Sequence, residues 1–286
     1  MCRNLKKSFL GFILAVAFTP AGLASPVNPT VTSGSATFSA AGNTLTVTNT
    51  PGTIIQWQQF SIGQNEITKF IQQNAQSTVL NRITGQDPSQ ILGTLQSNGR
   101  VFLVNPNGVL FGQNAIIDVA GLVASNLNLS NADFLAGRFN FSGGGVGAVV
   151  NQGTITTPVG GSVYLIGSAV GNEGLITSPK GEVLLAAGNS VSLADTGTPS
   201  MSVTLTADGN QAVNIGRITA DSGRIDIYGA LIEQQGVLRA NSASIDEQGR
   251  IILKATGTTT ISGEISATNS AGQGGTVQVL GEKVSL

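Results

Sequence analysis

Along this chain apolar residues come in short runs that alternate with polar ones and are closed off by Gly, Asn, Ser and Thr. Such runs predict many short strands joined by tight turns, and no helical periodicity survives beyond the opening segment. Thr37-Phe38-Ser39 and Thr44-Leu45-Thr46-Val47-Thr48 predict two short strands near the front. Residues 99–112 read as two strands joined by Asn105-Pro106-Asn107-Gly108. There Pro106 presets φ for the first corner of a turn, and Asn107 and Gly108 tolerate positive φ at the next ones.

The strands repeat. Asn151-Gln152-Gly153-Thr154-Ile155 returns as Asn172-Glu173-Gly174-Leu175-Ile176, and Gly161-Ser162-Val163-Tyr164-Leu165 as Gly181-Glu182-Val183-Leu184-Leu185, at offsets of 21 and 20 residues. Looser echoes follow at Gly223-Arg224-Ile225-Asp226-Ile227, Gly249-Arg250-Ile251-Ile252-Leu253 and Gly275-Thr276-Val277-Gln278-Val279. That spacing suits one coil of a β-solenoid, in which each strand pairs with its equivalents one level above and below. Alternation then turns Ile225 and Ile227 inward and leaves Arg224 and Asp226 facing solvent. At roughly 4.8 Å per level, about ten to twelve coils predict a rod on the order of 50 Å long.

Two regions depart from the repeat. Residues 126–147 interrupt it, with a short helical turn predicted after Ser130 or Asn131 and a glycine triplet at 143–145. The segment from about Thr30 to Thr50 is placed to cap the open first edge, whereas Thr276–Leu286 reads as a coil that stops midway, so the chain is expected to be part of a longer protein.

Five segments occur in a set order: Ile55-Gln56-Trp57-Gln58-Gln59-Phe60-Ser61-Ile62-Gly63; Val79-Leu80-Asn81-Arg82-Ile83; Ile91-Leu92-Gly93 leading into Asn98-Gly99-Arg100-Val101; Asn105-Pro106-Asn107-Gly108 with Leu110-Phe111-Gly112; and Gly121-Leu122-Val123-Ala124-Ser125. In this order, over residues 35–195, they resemble the amino-terminal secretion domain of two-partner secretion exoproteins of the filamentous haemagglutinin type. Some branches of that family carry a second Asn-Pro-Asn-Leu tetrad, which this chain lacks. The resemblance implies an all-β fold, a right-handed parallel β-helix with an amino-terminal cap. It divides the chain into a secretion domain over 25–200 and continuing coils over 201–286 that begin a longer shaft. It implies export, by way of the periplasm, through an outer-membrane transporter barrel with periplasmic recognition domains. The product is then secreted or held at the cell surface, with adhesion or haemagglutination on host or neighbouring cells as the expected service. Asn105, Pro106, Asn107 and Gly108 become the expected secretion motif, acting either as the turn that sets the coil or as a signal read by the partner. Trp57, Phe60, Asn81 and Arg82 are expected either in the cap and core or in contact with that partner.

Composition narrows the chemistry. Residues 1–24 have a basic start (Arg3, Lys6, Lys7), an apolar run from Phe9 to Phe18 and a small-residue exit at Gly22-Leu23-Ala24, which is a secretory signal cleaved after Ala24. Its loss takes three of the 14 basic residues and none of the 15 acidic ones, leaving a net charge of −4. A mildly acidic surface without basic clusters excludes nucleic acid as a partner. The only cysteine, Cys2, leaves with the signal, so the exported chain forms no internal disulfide. That suits either a chain threaded unfolded through a pore or a solenoid whose core needs no staple.

There is no histidine. Ser-His-Asp and Cys-His catalysis and His- or Cys-based metal sites are excluded, the calcium-roll repeat is missing, and no cofactor or metal is implied. Asn128-Leu129-Ser130 and Asn140-Phe141-Ser142 match the glycosylation pattern and are read as unmodified. The alternative function is a carbohydrate-active parallel β-helix, a polysaccharide lyase or hydrolase, with Asp221, Arg224, Asp226 and Glu233 as its candidate groups. Their scattered positions favour a non-enzymatic reading.

Overall fold

The computed structural model of the protein describes residues 26–195, 201–206, 209–242 and 249–286, so the leader expected over residues 1–24 lies outside the described residues. Each level of the main body is built from three short strands, and each strand pairs in parallel with its equivalent on the next level. One face runs Thr53–Trp57, Thr78–Ile83, the later halves of Thr94–Val104 and Ile116–Ser125, Ser162–Gly167 and Glu182–Ala187. It continues through the first halves of Arg224–Gln234 and Arg250–Ile261 to Thr276–Leu280. These nine strands make a parallel β-helix about 40 Å long at ~4.8 Å per level, its crossovers right-handed as parallel connections are.

The expectation of ten to twelve coils overcounts because two segments leave the ladder. Asn172 stacks on Asn214, 42 residues on, where Asn151 stacks on Asn172 after only 21. The extra length goes into a side sheet. Asn128–Leu129, Phe139–Ser142, Ser190–Asp195 and Met201–Thr206 form four antiparallel strands, with a short helix over Asn131–Leu135 capped by Ser130, whose side chain accepts from the Asp133 N–H. The excursion and its helical turn fall where the pattern predicted them. The partner strands from 190–206 were not visible, because their alternation matches that of any coil.

The side sheet changes the meaning of alternation on the face it covers. Val101, Leu122, Val163, Val183, Ile225 and Ile251 stack inward and are fully buried. The outward residues of the same strands, Phe102, Tyr164, Leu184 and Ile252, are buried too, in a second core with Leu129, Phe134 and Phe141. The expectation that Arg224 and Asp226 face solvent is therefore corrected: they are 7 % and 0 % exposed, because Asp226 sits in register between Leu184 and Ile252 on this covered face. Alternation marks two faces of a strand, but not whether a second layer covers the outer one.

At the first edge, Ala36–Ala41 and Thr44–Asn49 form an antiparallel hairpin turning at Gly42, which takes φ +58°. Thr44–Asn49 also pairs in parallel with Ile67–Ile71, joining the cap to the ladder, and Thr30–Ser33 runs antiparallel along Thr53–Trp57.

The corners are set by two stacked rows. Asn151, Asn172, Asn214 and Gln234 are fully buried; the Nδ2 of each asparagine donates to the next side-chain oxygen at 2.8 Å, and Gln234 Nε2 ends the row on the Gly236 carbonyl at 2.9 Å. Two residues on stand Gly153, Gly174, Gly216 and Gly236, and Gly263 continues the glycine row above Gly236. A Cβ at Gly216 would lie 2.2 Å from the Gly174 carbonyl oxygen, and one at Gly236 2.0 Å from that of Gly216. The repeated Asn-x-Gly is thus a corner where backbones pass too close for any side chain.

Gly216→Ala is expected to cost about 3 kcal/mol or more, since backbone on a neighbouring level must move. Gly144→Ala, with nothing within 4 Å of the new methyl, is expected to stay within about 0.5 kcal/mol of the parent. Guanidinium unfolding followed through Trp57, the one tryptophan, measures both.

Candidate functional site

The Asn105–Gly108 turn ends the strand Thr94–Val104 and starts Val109–Phe111. Gly108 N donates to the Asn105 carbonyl at 2.9 Å, closing the turn. Of the two residues expected to tolerate positive φ, Gly108 uses it, at +107°, and Asn107 does not. A Cβ at Gly108 would stand 2.9 Å from the Ala148 carbonyl oxygen.

The asparagine side chains tie this turn to the level before it. Asn105, fully buried, donates through Nδ2 to the Asp87 carbonyl and to Ser89 Oγ, both at 3.0 Å. Its Oδ1 accepts from the Asn107 N–H at 2.9 Å, and Asn107 Nδ2 donates to the Gly85 carbonyl at 3.0 Å. Ser89 N returns a bond to the Gly108 carbonyl at 3.0 Å. On the other side, Asn105 N donates to Ser125 O, Val146 N to Pro106 O and Val109 N to Ala148 O, at 2.9–3.0 Å. Pro106 alone of the four is exposed.

Asn126 takes the equivalent position one level on, with Ser168 N donating to its Oδ1 at 3.0 Å and its Nδ2 donating to Ser168 Oγ at 2.9 Å. Sequence reading missed it. The signal was there, since Val104 and Ser125 are register partners and each is followed by an asparagine.

Trp57, Phe60 and Asn81 lie inside the first levels of the solenoid. Trp57 meets Phe38 and Phe60 edge-on at 5.7 and 5.4 Å, and Phe60 stacks on Phe70 at 6.4 Å. Trp57 Nε1 donates to Asn81 Oδ1 at 2.9 Å, and Asn81 Nδ2 donates to the Phe102 carbonyl at 3.2 Å, which satisfies a polar group at an inward position. All three are at most 1 % exposed, so the folded domain presents none of them to a partner. Arg82 points the other way. Its guanidinium donates to the Leu129 carbonyl and Asn131 Oδ1, fastening the side sheet to the solenoid, and burial pulls its pKa below the usual arginine value.

The four groups of the enzyme alternative are dispersed. Asp221 pairs with Arg239 at 2.9 Å on the surface, Glu233 accepts from Gln235 at 3.3 Å, and Asp226 pairs with Arg224 at 2.5 Å in the covered face. Arg224 also lies 3.7 Å from Glu182, which accepts from the Tyr164 hydroxyl at 2.7 Å. Burial pushes the Asp226 carboxyl up to about 6 against the pull of Arg224. Among the described residues no three acidic groups gather to hold a metal.

The family model of the TPS secretion domain matches residues 24–284. The heme/hemopexin-binding protein of Haemophilus influenzae is 43 % identical over 129 residues, which cover 43 % of this chain and 14 % of that protein. The filamentous hemagglutinin of Bordetella pertussis is 39 % identical over 88 residues, 30 % of this chain and 2 % of that protein. The crystal structure of the HMW1 secretion domain from Haemophilus influenzae matches with a TM-score of 0.87 at 41 % identity, covering 91 % of this chain and 71 % of that one. The chain spans a small fraction of the curated relatives it matches.

Asn105→Ala strands the Asn107 N–H and Ser89 in a buried corner and is expected to cost about 1–3 kcal/mol, whereas Pro106→Ala is expected to cost under about 1 kcal/mol; chemical denaturation ranks them. For Asp226, the folded state holds its proton up to about pH 6 and the unfolded chain releases it near 3.8. Its contribution to stability is therefore full below pH 3.8 and lost as pH rises through 6. Asp226→Asn is expected to flatten that part of the pH–stability curve, which paired denaturation series of the two proteins will test.

Proposed function

The chain belongs to the TPS secretion-domain family, and from that premise we propose that it addresses an exoprotein to a cognate outer-membrane barrel, whose periplasmic domains receive it unfolded after the leader is removed. Residues 25–200 are the proposed addressing unit and 201–286 the first coils of a shaft. The amide row runs unbroken across this division, from Asn172 to Asn214, so shaft coils stack on the domain by the same contacts. Folding outside the cell then helps draw the chain through, since each added level buries apolar surface at about 25 cal/mol per Å².

The observation that carries the reading is the Asn105–Gly108 turn, wired to the levels on both sides within a chain that matches the family model almost end to end. We assign the turn a structural role in export: Asn105 is buried and Asn107 half-buried, and their amides are spent on the fold. Trp57, Phe60, Asn81 and Arg82 serve the cap and the side sheet by the same argument. Adhesion is the proposed service of the whole exoprotein, supported by the filamentous hemagglutinin among its relatives. The dispersed carboxylates support no catalytic role.

Expression in a Gram-negative host with and without a cognate transporter is expected to give transporter-dependent release of the chain into the medium or onto the surface. Release without any transporter, or a folded product retained in the periplasm beside a working one, would overturn the reading. Asn107→Ala is expected to reduce export and, once purified and refolded, to unfold earlier than the parent. A variant that folds normally yet is not exported would sink the structural role of the turn.

A further inference from the structure

The chain has two Asn-Gly steps, Asn98-Gly99 and Asn107-Gly108. At such a step no Cβ on the following residue hinders its backbone nitrogen from reaching the asparagine side chain. The Gly108 nitrogen can bond to Asn107 Cγ as the Cγ–Nδ2 bond breaks, Nδ2 leaving with the former Gly108 amide proton as ammonia. Water then opens the resulting ring imide at either carbonyl, giving aspartate or isoaspartate.

In the fold, the attacking N–H and the leaving amide nitrogen are both tied elsewhere. Gly108 N–H donates to the Asn105 carbonyl at 2.9 Å, while Asn107 Nδ2 donates to Gly85 O at 3.0 Å and Asn105 Oδ1 at 3.3 Å. Asn98 is held the same way: its Oδ1 accepts from Gln72 N and its Nδ2 donates to Gln72 O, both at 2.7 Å, and Gly99 N donates to Ser97 Oγ at 3.0 Å. We propose that Asn107-Gly108 is a spontaneous deamidation site of the unfolded chain which the fold silences, so that the turn limits how long the chain can wait before folding.

The product is incompatible with the site that protected it. Aspartate at 107 sets an anionic acceptor against Gly85 O and Asn105 Oδ1, which are acceptors themselves. Isoaspartate lengthens the backbone of a turn so close-packed that a Cβ at Gly108 would stand 2.9 Å from Ala148 O and 3.2 Å from Gly147 Cα. The chemistry stands by itself; only its consequence for secretion rests on export of an unfolded chain.

The full chain, folded in buffer or unfolded in guanidinium, is to be aged at mildly alkaline pH and body temperature, then mapped by peptide mass at Asn98 and Asn107. Asn107 is expected to convert in the unfolded chain and roughly tenfold or more slowly in the folded one, where the turn must first open. After dilution from denaturant, the recovery of native Trp57 fluorescence is expected to fall in step with conversion, and Asn107→Asp to reproduce that loss. Equal conversion rates in the two states would overturn the protection, and full refolding of the converted chain or of Asn107→Asp would overturn the consequence. No transporter enters either measurement, so failure here is distinct from failure of the export reading.

Discussion

Register between levels is the constraint on which the rest of this protein depends. In a parallel β-helix the backbone hydrogen bonds run along the axis, so each level is satisfied only when its neighbours present matching strands at matching heights. The inward aliphatic residues tolerate some slippage, because Val, Ile and Leu stack on one another in many ways. The corners do not. The row from Asn151 to Gln234 allows one partner per amide, and the glycine row beside it brings carbonyl oxygens to where a Cβ would be. A one-residue slip would leave the amides unpaired in the core and drive side chains into backbone, and both are costly.

The second core shows what such a scaffold supports once register is fixed. Two excursions, one after Ser125 and one contributing Ser190–Asp195 and Met201–Thr206, meet as an antiparallel sheet over one face and bury its outward residues. Phe139–Ser142 pairs with Ser190–Asp195, so this cover closes only when chain from two levels further on has arrived. Arg82 fastens it from an early level. Under that cover the Arg224–Asp226 pair carries the desolvation cost of two buried charges, and burial raises the Asp226 pKa against the pull of Arg224.

These features suit the export proposed above, in which the chain is moved before it is folded. Its only cysteine is Cys2, within the stretch expected as a leader, so the rest of the chain can form no disulfide within itself. Levels depend mainly on nearest neighbours, which lets folding proceed from the capped end as chain emerges. The same design makes the corner turns vulnerable until their amides are engaged. Beyond the bonds within the turn itself, the side-chain amides of Asn105 and Asn107 find their partners on the level before, at Asp87, Ser89 and Gly85, which an isolated strand does not supply.

Much was legible from residues alone. The 20- and 21-residue echoes, the inward Ile225 and Ile227, the capping hairpin, the helical turn after Ser130 and the Asn-Pro-Asn-Gly corner all rest on local chemistry or on period, and both are written into sequence. Tertiary structure alone decided the rest. It paired the excursion after Ser125 with Ser190–Asp195, and so left nine coils among the described residues. It buried Asp226 and Arg224 by covering a face whose alternation is the same whether water or protein lies outside it. It also spent the side chains of Asn105, Asn107 and Asn126 on neighbouring levels. Local pattern determines which side of a strand a residue lies on, but what stands opposite depends on contacts between residues far apart in sequence, and those exist only once the levels are stacked.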